Sequence, residues 1–599
     1  MKKRIFKSLL WIVPLMSLQM CSDSFLNQPA KGSLSTSQLL NQAGVEQVLI
    51  GAYAALKGNN SWVAQPTNWV YGSVVGAESY KGSNSGDQSD INPISTFTTT
   101  STNSYISAKW TAIYDGVNRS NTVLKILAQV PKGDISDADI ARITGEARFL
   151  RAWFHLEGYK VFKNVPYIDE SIDYTKNNFN VPNDADIIDK IIADFDWGYK
   201  NLPATNVAVG RANKWAAAAF EAKCLLYQKK YSDALTIFND VITKGTTAGG
   251  TKYALLPAYR SAFDAGSDNS SESVFAIQAS VNDGSGANNA NADLVLNYPY
   301  GGNSVVTCCG FNQPSMDLAN SFRTDASGLP LLDGSYNTGG NQLTDIAWQS
   351  GATTVAADAG RLDPRIDWII GRTGVPFLDW GTYTGPAWVR SPVDGGPYTP
   401  KKYDALASQV GTFTDASSWT PGYNAVNQYL MRFSDVLLMA AECAVETNDL
   451  ATALTYVNKV RARVQDPTTW VKISKSASKS DWAAYTDSSV PSVNAGNYVI
   501  STYPSFPNQT YARQAVHFER KLELALEGHR FFDLVRWGET TNASGNPVNL
   551  QSAYEYNATL AGASILGSFR FTPGKNEVFP IPQGQIDLSA GVLKQNSGY

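Results

Sequence analysis

The sequence predicts a mainly α-helical scaffold broken by one large, irregular, loop-rich insertion. Apolar residues recur at helical spacing in long stretches near both ends of the chain, as in helices that bury one face. Over residues 245–425 that periodicity gives way to Gly, Pro, Trp and Tyr. Two helical hairpins flanking the gap share one spacing of small and apolar residues.

The chain opens with Lys2, Lys3, Arg4 and Lys7 ahead of an apolar run, Leu9 to Met16, too short to span a bilayer. Residues 1–20 therefore read as a signal peptide and 21–40 as a tether. Leu18-Gln19-Met20-Cys21 resembles a bacterial lipobox, departing from it at Met20, where a small residue is usual. Cys21 is the expected lipidation site, and Ser22-Asp23-Ser24 resembles an acidic surface-export signal. Ordinary secretion with an incidental cysteine is the competing reading.

Residues 41–599 read as a single domain, with its helical scaffold over 41–244 and 426–599. Helices are expected from Gln42 to Leu56, Tyr105 to Leu127, Asp139 to Phe162 and Asp184 to Leu202. Ala212 to Lys229 and Ser232 to Ile242 follow as a hairpin, and Tyr429 to Glu446 with Leu450 to Val464 as another. Ala222, Ala234, Phe238 and Val241 have the same spacings as Ala441, Ala453, Val457 and Val460. Small residues at a helix crossing followed by a larger apolar pair resemble the tetratricopeptide pattern. In the last helical block, Phe518, Leu522, Ala525 and Leu526 form one apolar stripe, and Gly528 should break the helix. Arg520 with Glu523, Glu527 with Arg530 and Asp533 with Arg536 sit at i, i+3, and read as a solvated, self-paired face.

Composition narrows the function. A formal charge of −4, with charged residues at 17%, supplies no basic field, so nucleic-acid binding is not expected. His155, His517 and His529 lie in helical segments without metalloprotease spacing, and no Walker loop or dinucleotide fingerprint occurs, so no cofactor is expected. Glu527 is one possible ion-pair partner for His529. Cys224, Cys308, Cys309 and Cys443 lack metal-ligand spacing, so no metal is expected. Cys224 and Cys443 read as core residues; Cys308-Cys309 is either a vicinal disulfide or two thiols beside a ligand. Asp87-Gln88-Ser89-Asp90 offers oxygen donors without the full spacing of a calcium loop. Two carboxylates would suffice for a secreted glycoside hydrolase, but Glu442, Glu519, Glu523 and Glu527 sit among helix charges and read as salt-bridged.

Several phrases together resemble the SusD/RagB family of nutrient-binding outer-membrane lipoproteins. They are Glu146 to Phe154, Arg432 to Glu442, Phe518 to Trp537 and Phe579-Pro580-Ile581-Pro582. Glu78-Ser79-Tyr80-Lys81-Gly82 and Gly310-Phe311-Asn312-Gln313-Pro314 add to them. The resemblance covers nearly the whole mature chain. It implies tetratricopeptide-like helices packed against a SusC-like TonB-dependent transporter, and loops on the opposite face that bind a nutrient, usually a glycan. It also implies a lipid-anchored, outward-facing position on the outer membrane and no enzymatic activity. A peptide-binding member of the same family is the alternative.

A sugar ring has an apolar C–H face and a rim of hydroxyls, so a binder needs flat aromatics and directional polar groups displayed on loops. Trp62, Trp69, Tyr71 and Tyr80 in the first long loop, with Tyr298, Tyr300 and Trp348 in the insertion, are the candidate aromatics. Glu78, Lys81, Asp87 and Arg372 are the candidate polar partners. A tryptophan in a long loop more often plugs that loop onto the core, so fewer than half of these aromatics are expected to touch ligand.

Overall fold

The structure, a computed structural model, describes residues 36–60, 64–292, 295–301, 308–560 and 569–599. The expected signal peptide, the lipidation site Cys21 and the candidate Trp62 lie outside these residues.

The first helices are α1 (Gln42–Ala54), α2 (Ser104–Leu127) and α3 (Asp137–Phe162). Asn41, Asn103 and Ser136 cap them, each side chain accepting an N–H that the first turn cannot use. Next come α4 (Ile188–Asn201), α5 (Lys214–Tyr227) and α6 (Tyr231–Lys244). From α2 onward each packs on the one before it. The insertion then departs, and the chain returns through α7 (Phe433–Glu446) and α8 (Leu450–Arg463). Because α7 packs on α6, the stack is continuous in space although interrupted in sequence.

The repeat residues explain that packing. α5, α6, α7 and α8 are each 14 residues long. Ala222, Ala234, Phe238, Val241, Ala441, Ala453, Val457 and Val460 are all fully buried. Alanine at a crossing lets helix axes approach, and the larger pair fills the adjoining groove. The fold is the tetratricopeptide-like helical scaffold that the sequence predicts.

Strands are short. β1 (Ser79–Gly82) pairs antiparallel with β3 (Phe311–Pro314), and β2 (Ser273–Ile277) with β4 (Gln428–Arg432). The second pair joins the start of the insertion to its end, with Ser273 opposite Arg432. Cys224 and Cys443 are buried thiols, and Cys308 and Cys309 are bonded to each other.

Two cores meet at α9 (Gln509–Glu523), which is followed by α10 (Arg530–Trp537). Ala512, Ala515 and Val516 face the helical core, while Phe518, Leu522, Ala525 and Leu526 face the core of the insertion. The two helices are separate, but α9 already ends at Glu523; Gly528 lies in the link, with φ +76° and a Cβ there only 1.8 Å from Thr67 O, so this close approach requires glycine.

The charges of this block are not solvated, which corrects the expected surface face. α9 is covered on both sides, so its carboxylates need partners in place of water. Glu519 meets Arg365 at 2.6 Å and Arg461 at 2.7 Å. Glu523 meets Arg432 at 2.7 Å, Arg365 at 2.9 Å and also Arg463. Glu527 meets Arg432 at 2.8 Å and Lys402 at 2.5 Å. Of the three predicted i, i+3 pairs only Asp533–Arg536 forms, at 2.8 Å. Arg536 also clamps Glu442. Burial pushes His529 down to about 4, so it is neutral at pH 7 and forms no ion pair with Glu527. His155 is pushed down to about 3 for the same reason, and His517 stacks on Trp537 with ring centres 3.6 Å apart.

Candidate functional site

The predicted residues divide by burial. Trp69 lies in the helical core, 5.9 Å from Phe311 of β3. Tyr71 donates its hydroxyl to Tyr105 O at 3.0 Å and meets Phe579 edge-on. Tyr80 is buried with its hydroxyl 3.3 Å from Asn557 Oδ1. The buried Tyr298 hydroxyl accepts from Ala405 N at 3.1 Å and Asn424 Nδ2 at 2.9 Å. Glu78 accepts from Leu526 N at 3.2 Å, and burial pushes its carboxyl up to about 7. Arg372 makes two 2.8 Å bonds to Asp367 beneath the surface. These six side chains face the protein, which corrects the expectation that they contact ligand: long loops have no core of their own and gain stability by burying such groups.

Of the others, Asp87 and Tyr300 come together near the surface beside β1 and β3, bridged by Arg390, while Lys81 is buried and Trp62 lies outside the described residues. Gly82 has φ +76°, and a Cβ there would lie 2.3 Å from Gly310 O, so only glycine allows the strands to close at this end. Just beyond, Lys81 folds under the 83–90 loop and donates to Asn84 O at 2.9 Å and Asp87 O at 2.7 Å. Burial lowers this ammonium to about 8. Lys81 is thus a loop organiser, and Asp87 is the group it presents.

Asp87 is held in a triangle. Its Oδ2 accepts from Arg390 Nη1 at 2.6 Å and from the Ser83 hydroxyl at 2.9 Å, and Arg390 also reaches that hydroxyl at 2.7 Å. The Asp87 and Arg390 side chains remain 29% and 33% exposed. The Arg390 guanidinium lies over the half-buried Tyr300 ring, 5.1 Å from its centre. Tyr300 is fixed in turn by its N–H, which donates to Trp388 O at 3.1 Å.

Trp348 stands at the start of the 385–390 turn that ends in Arg390. It is half-buried, donates from Nε1 to Thr373 at 3.0 Å, and lies against Gly385. Beneath, Phe377, Tyr383 and Trp388 form a third, separate aromatic cluster that carries the 385–390 turn. The two ends of the 385–390 turn therefore carry two partly open aromatic rings, Trp348 at one end and Tyr300 at the other, with one cation and one carboxylate beside Tyr300. Such a set can stack on an apolar face and exchange directional hydrogen bonds with hydroxyls. Among the described residues, no group of three or more His, Cys, Asp or Glu side chains comes together for a metal ion.

Arg390 was not visible as a site residue in the sequence. Its meaning lies in Asp87, 303 positions away, and no local period marks it.

Residues 271–599 match the family model of the SusD family, and residues 24–226 match one described as starch-binding, associating with the outer membrane. A SusD-like protein of Formosa agariphila is 22% identical over 518 residues, 83% of each chain. Among solved structures, a laminarin-binding SusD-like protein aligns with TM-score 0.62 at 24% identity, covering 93% of this chain and 100% of that one. Surface glycan-binding protein A of Bacteroides thetaiotaomicron, in complex with laminarihexaose, aligns with TM-score 0.58 at 19% identity, covering 93% and 99%. Fold, repeat and family model agree: the chain belongs to the SusD family.

Proposed function

We propose that this chain is a cell-surface lipoprotein, anchored to the outer membrane through Cys21, that captures an oligo- or polysaccharide and delivers it to a SusC-like TonB-dependent transporter. The observation that carries the proposal is the partly exposed group of Tyr300, Arg390 and Asp87, with Trp348 at the other end of the 385–390 turn. In it, the sugar's C–H face stacks on the open part of Tyr300 or Trp348, while Asp87 and Arg390 hydrogen-bond to ring hydroxyls. The ion pair and the Ser83 hydroxyl hold these groups in place before ligand arrives, which limits the entropy lost on binding. The ligand leaves chemically unchanged.

The laminarin named for one solved relative and the laminarihexaose named for another make β-glucans the first compounds to try. Calorimetric titration against a glycan panel, beside a peptide panel, tests the proposal. Glycan binding without released sugars supports it. Binding of peptides alone moves the chain to the peptide-binding branch, and sugars released from a bound glycan overturn the non-enzymatic assignment. Co-purification with the transporter tests the delivery step.

A further inference from the structure

Among the described tryptophans only Trp419 is exposed, at 58%. Leaving an indole in water forgoes the stabilisation its burial would bring, and the other described tryptophans are buried wholly or in part. The residue does not sit on a loose loop. Asp415 N donates to Tyr423 O and Ala425 N to Phe413 O, both at 2.9 Å, making a hairpin below the tip. At the tip, the Asp415 carboxylate accepts from Ser417 N at 2.8 Å.

The neighbouring loop pins the hairpin from the side. Asn282 donates from Nδ2 to Gly411 O and Thr414 O, both at 3.1 Å, and accepts from Ala416 N at 2.9 Å. Tyr423 stands nearly perpendicular to the indole, with ring centres 6.2 Å apart. The 283–289 segment that follows Asn282 is Asp-Gly-Ser-Gly-Ala-Asn-Asn, and exposes Asp283, Asn288 and Asn289. A solvent-facing indole near exposed amides and a carboxylate shares with the Tyr300 surface an open aromatic face and polar groups able to meet hydroxyls, but carries no cation. The two are joined: Asn424 at the hairpin base donates to the hydroxyl of Tyr298, two residues before Tyr300.

We infer that Trp419 is the platform of a second carbohydrate subsite, which engages a long saccharide already held at the Tyr300–Arg390 surface. The inference rests on the glycan-binding proposal and extends it to ligand length. A lone aromatic platform binds a free sugar weakly. For a chain tethered nearby, the second contact forms at high effective concentration, so its effect appears with polymer and not with short fragments. A protein partner fits less well: a standard interface covers about 800 Å² per side around an apolar centre. The loop that pins the hairpin is instead Asp, Gly, Ser, Ala and Asn over 283–289.

The test uses the full chain, its Trp419→Ala and Trp419→Phe variants, and a panel of polysaccharides headed by laminarin and soluble starch, each paired with its own trisaccharide. Affinity electrophoresis reads the polymer and calorimetry the fragment. Trp419→Ala is expected to weaken polymer binding five- to tenfold, to leave the fragment's Kd within twofold, and to be largely rescued by phenylalanine. Far-ultraviolet circular dichroism and melting should match the wild type, because the side chain supports no core. A Trp419→Ala protein that retains polymer like the wild type overturns this inference alone. So does one that loses transporter co-purification while keeping polymer affinity. A wild-type chain that binds no member of the panel overturns the glycan reading, and this inference falls with it.

Discussion

Arg365 donates from Nη1 to Glu523 at 2.9 Å across 158 positions of sequence, tying the insertion to the last long helix of the scaffold. Both side chains are fully buried, and Glu523 also meets Arg432 and Arg463. Opposing charge holds its carboxyl well below the usual range. Removing one member of such a group strands the others without water. Glu523→Gln should therefore cost about 3–5 kcal/mol, read as a fall in the urea midpoint. An unchanged midpoint would mean that the three arginines find equal partners elsewhere.

Glu78 and His529 give opposite pH signatures. The folded pKa of Glu78 is raised to about 7, so the native state holds its proton more tightly than the unfolded chain. Its burial is uncostly at low pH, and stability is lost as pH rises from about 4.5 through 7, by about 3 kcal/mol in all. Glu78→Gln should raise the melting temperature at pH 8 and change it little at pH 4.5. Equal shifts at both pH values would rule out titration as the cause.

His529 acts in the other direction. Its folded pKa of about 4 lies below the free value of 6.5, so the unfolded chain binds the extra proton. Stability is full above about 6.5 and falls as pH drops towards 4. His529→Gln should reduce that loss relative to the wild type, with the His155 share, from a group pushed down to about 3, and the opposite Glu78 contribution common to both proteins. Denaturant midpoints compared between pH 7.5 and 4.5 provide the check.

Ala441 has no exposed surface where α7 crosses its neighbours. Ala441→Leu inserts three carbons into a closed crossing and should cost at least about 1–3 kcal/mol. Calorimetric melting measures it; a neutral result would mean the crossing is looser than its burial implies.

Arg390 and Arg372 separate binding from folding. Arg390→Ala removes a half-exposed pair worth about 0–1 kcal/mol to stability, yet should weaken glycan binding tenfold or more. Arg372→Ala should do the reverse, because it leaves Asp367 buried without its two bonds. Titration of both variants, with their melting curves, decides between them.

Helices and repeat were legible because a buried stripe leaves a period, and because equal hairpins repeat it. Charges were legible only in part. Glu519, Glu523 and Glu527 looked like one side of a surface helix, since sequence does not say whether a helix's second face is covered; here the insertion's core covers it. The same blindness affected the aromatics. Trp69, Tyr71, Tyr80 and Tyr298 share the loop composition of Tyr300 and Trp348, and differ only in what the fold places over them. Arg390 needed Asp87 beside it before it meant anything.

The cluster of Phe377, Tyr383 and Trp388 is distinct from both larger cores. A small aromatic group joined to the insertion's core through the half-buried Trp380 can open and reclose locally without global unfolding. Tyr300 and Arg390 both hang from the turn it carries. Ligand should therefore register first as slowed amide exchange over 374–390, and only weakly as a rise in the melting temperature of the whole chain. The scaffold would stay a spectator, and the capture surface would behave as its own small cooperative unit.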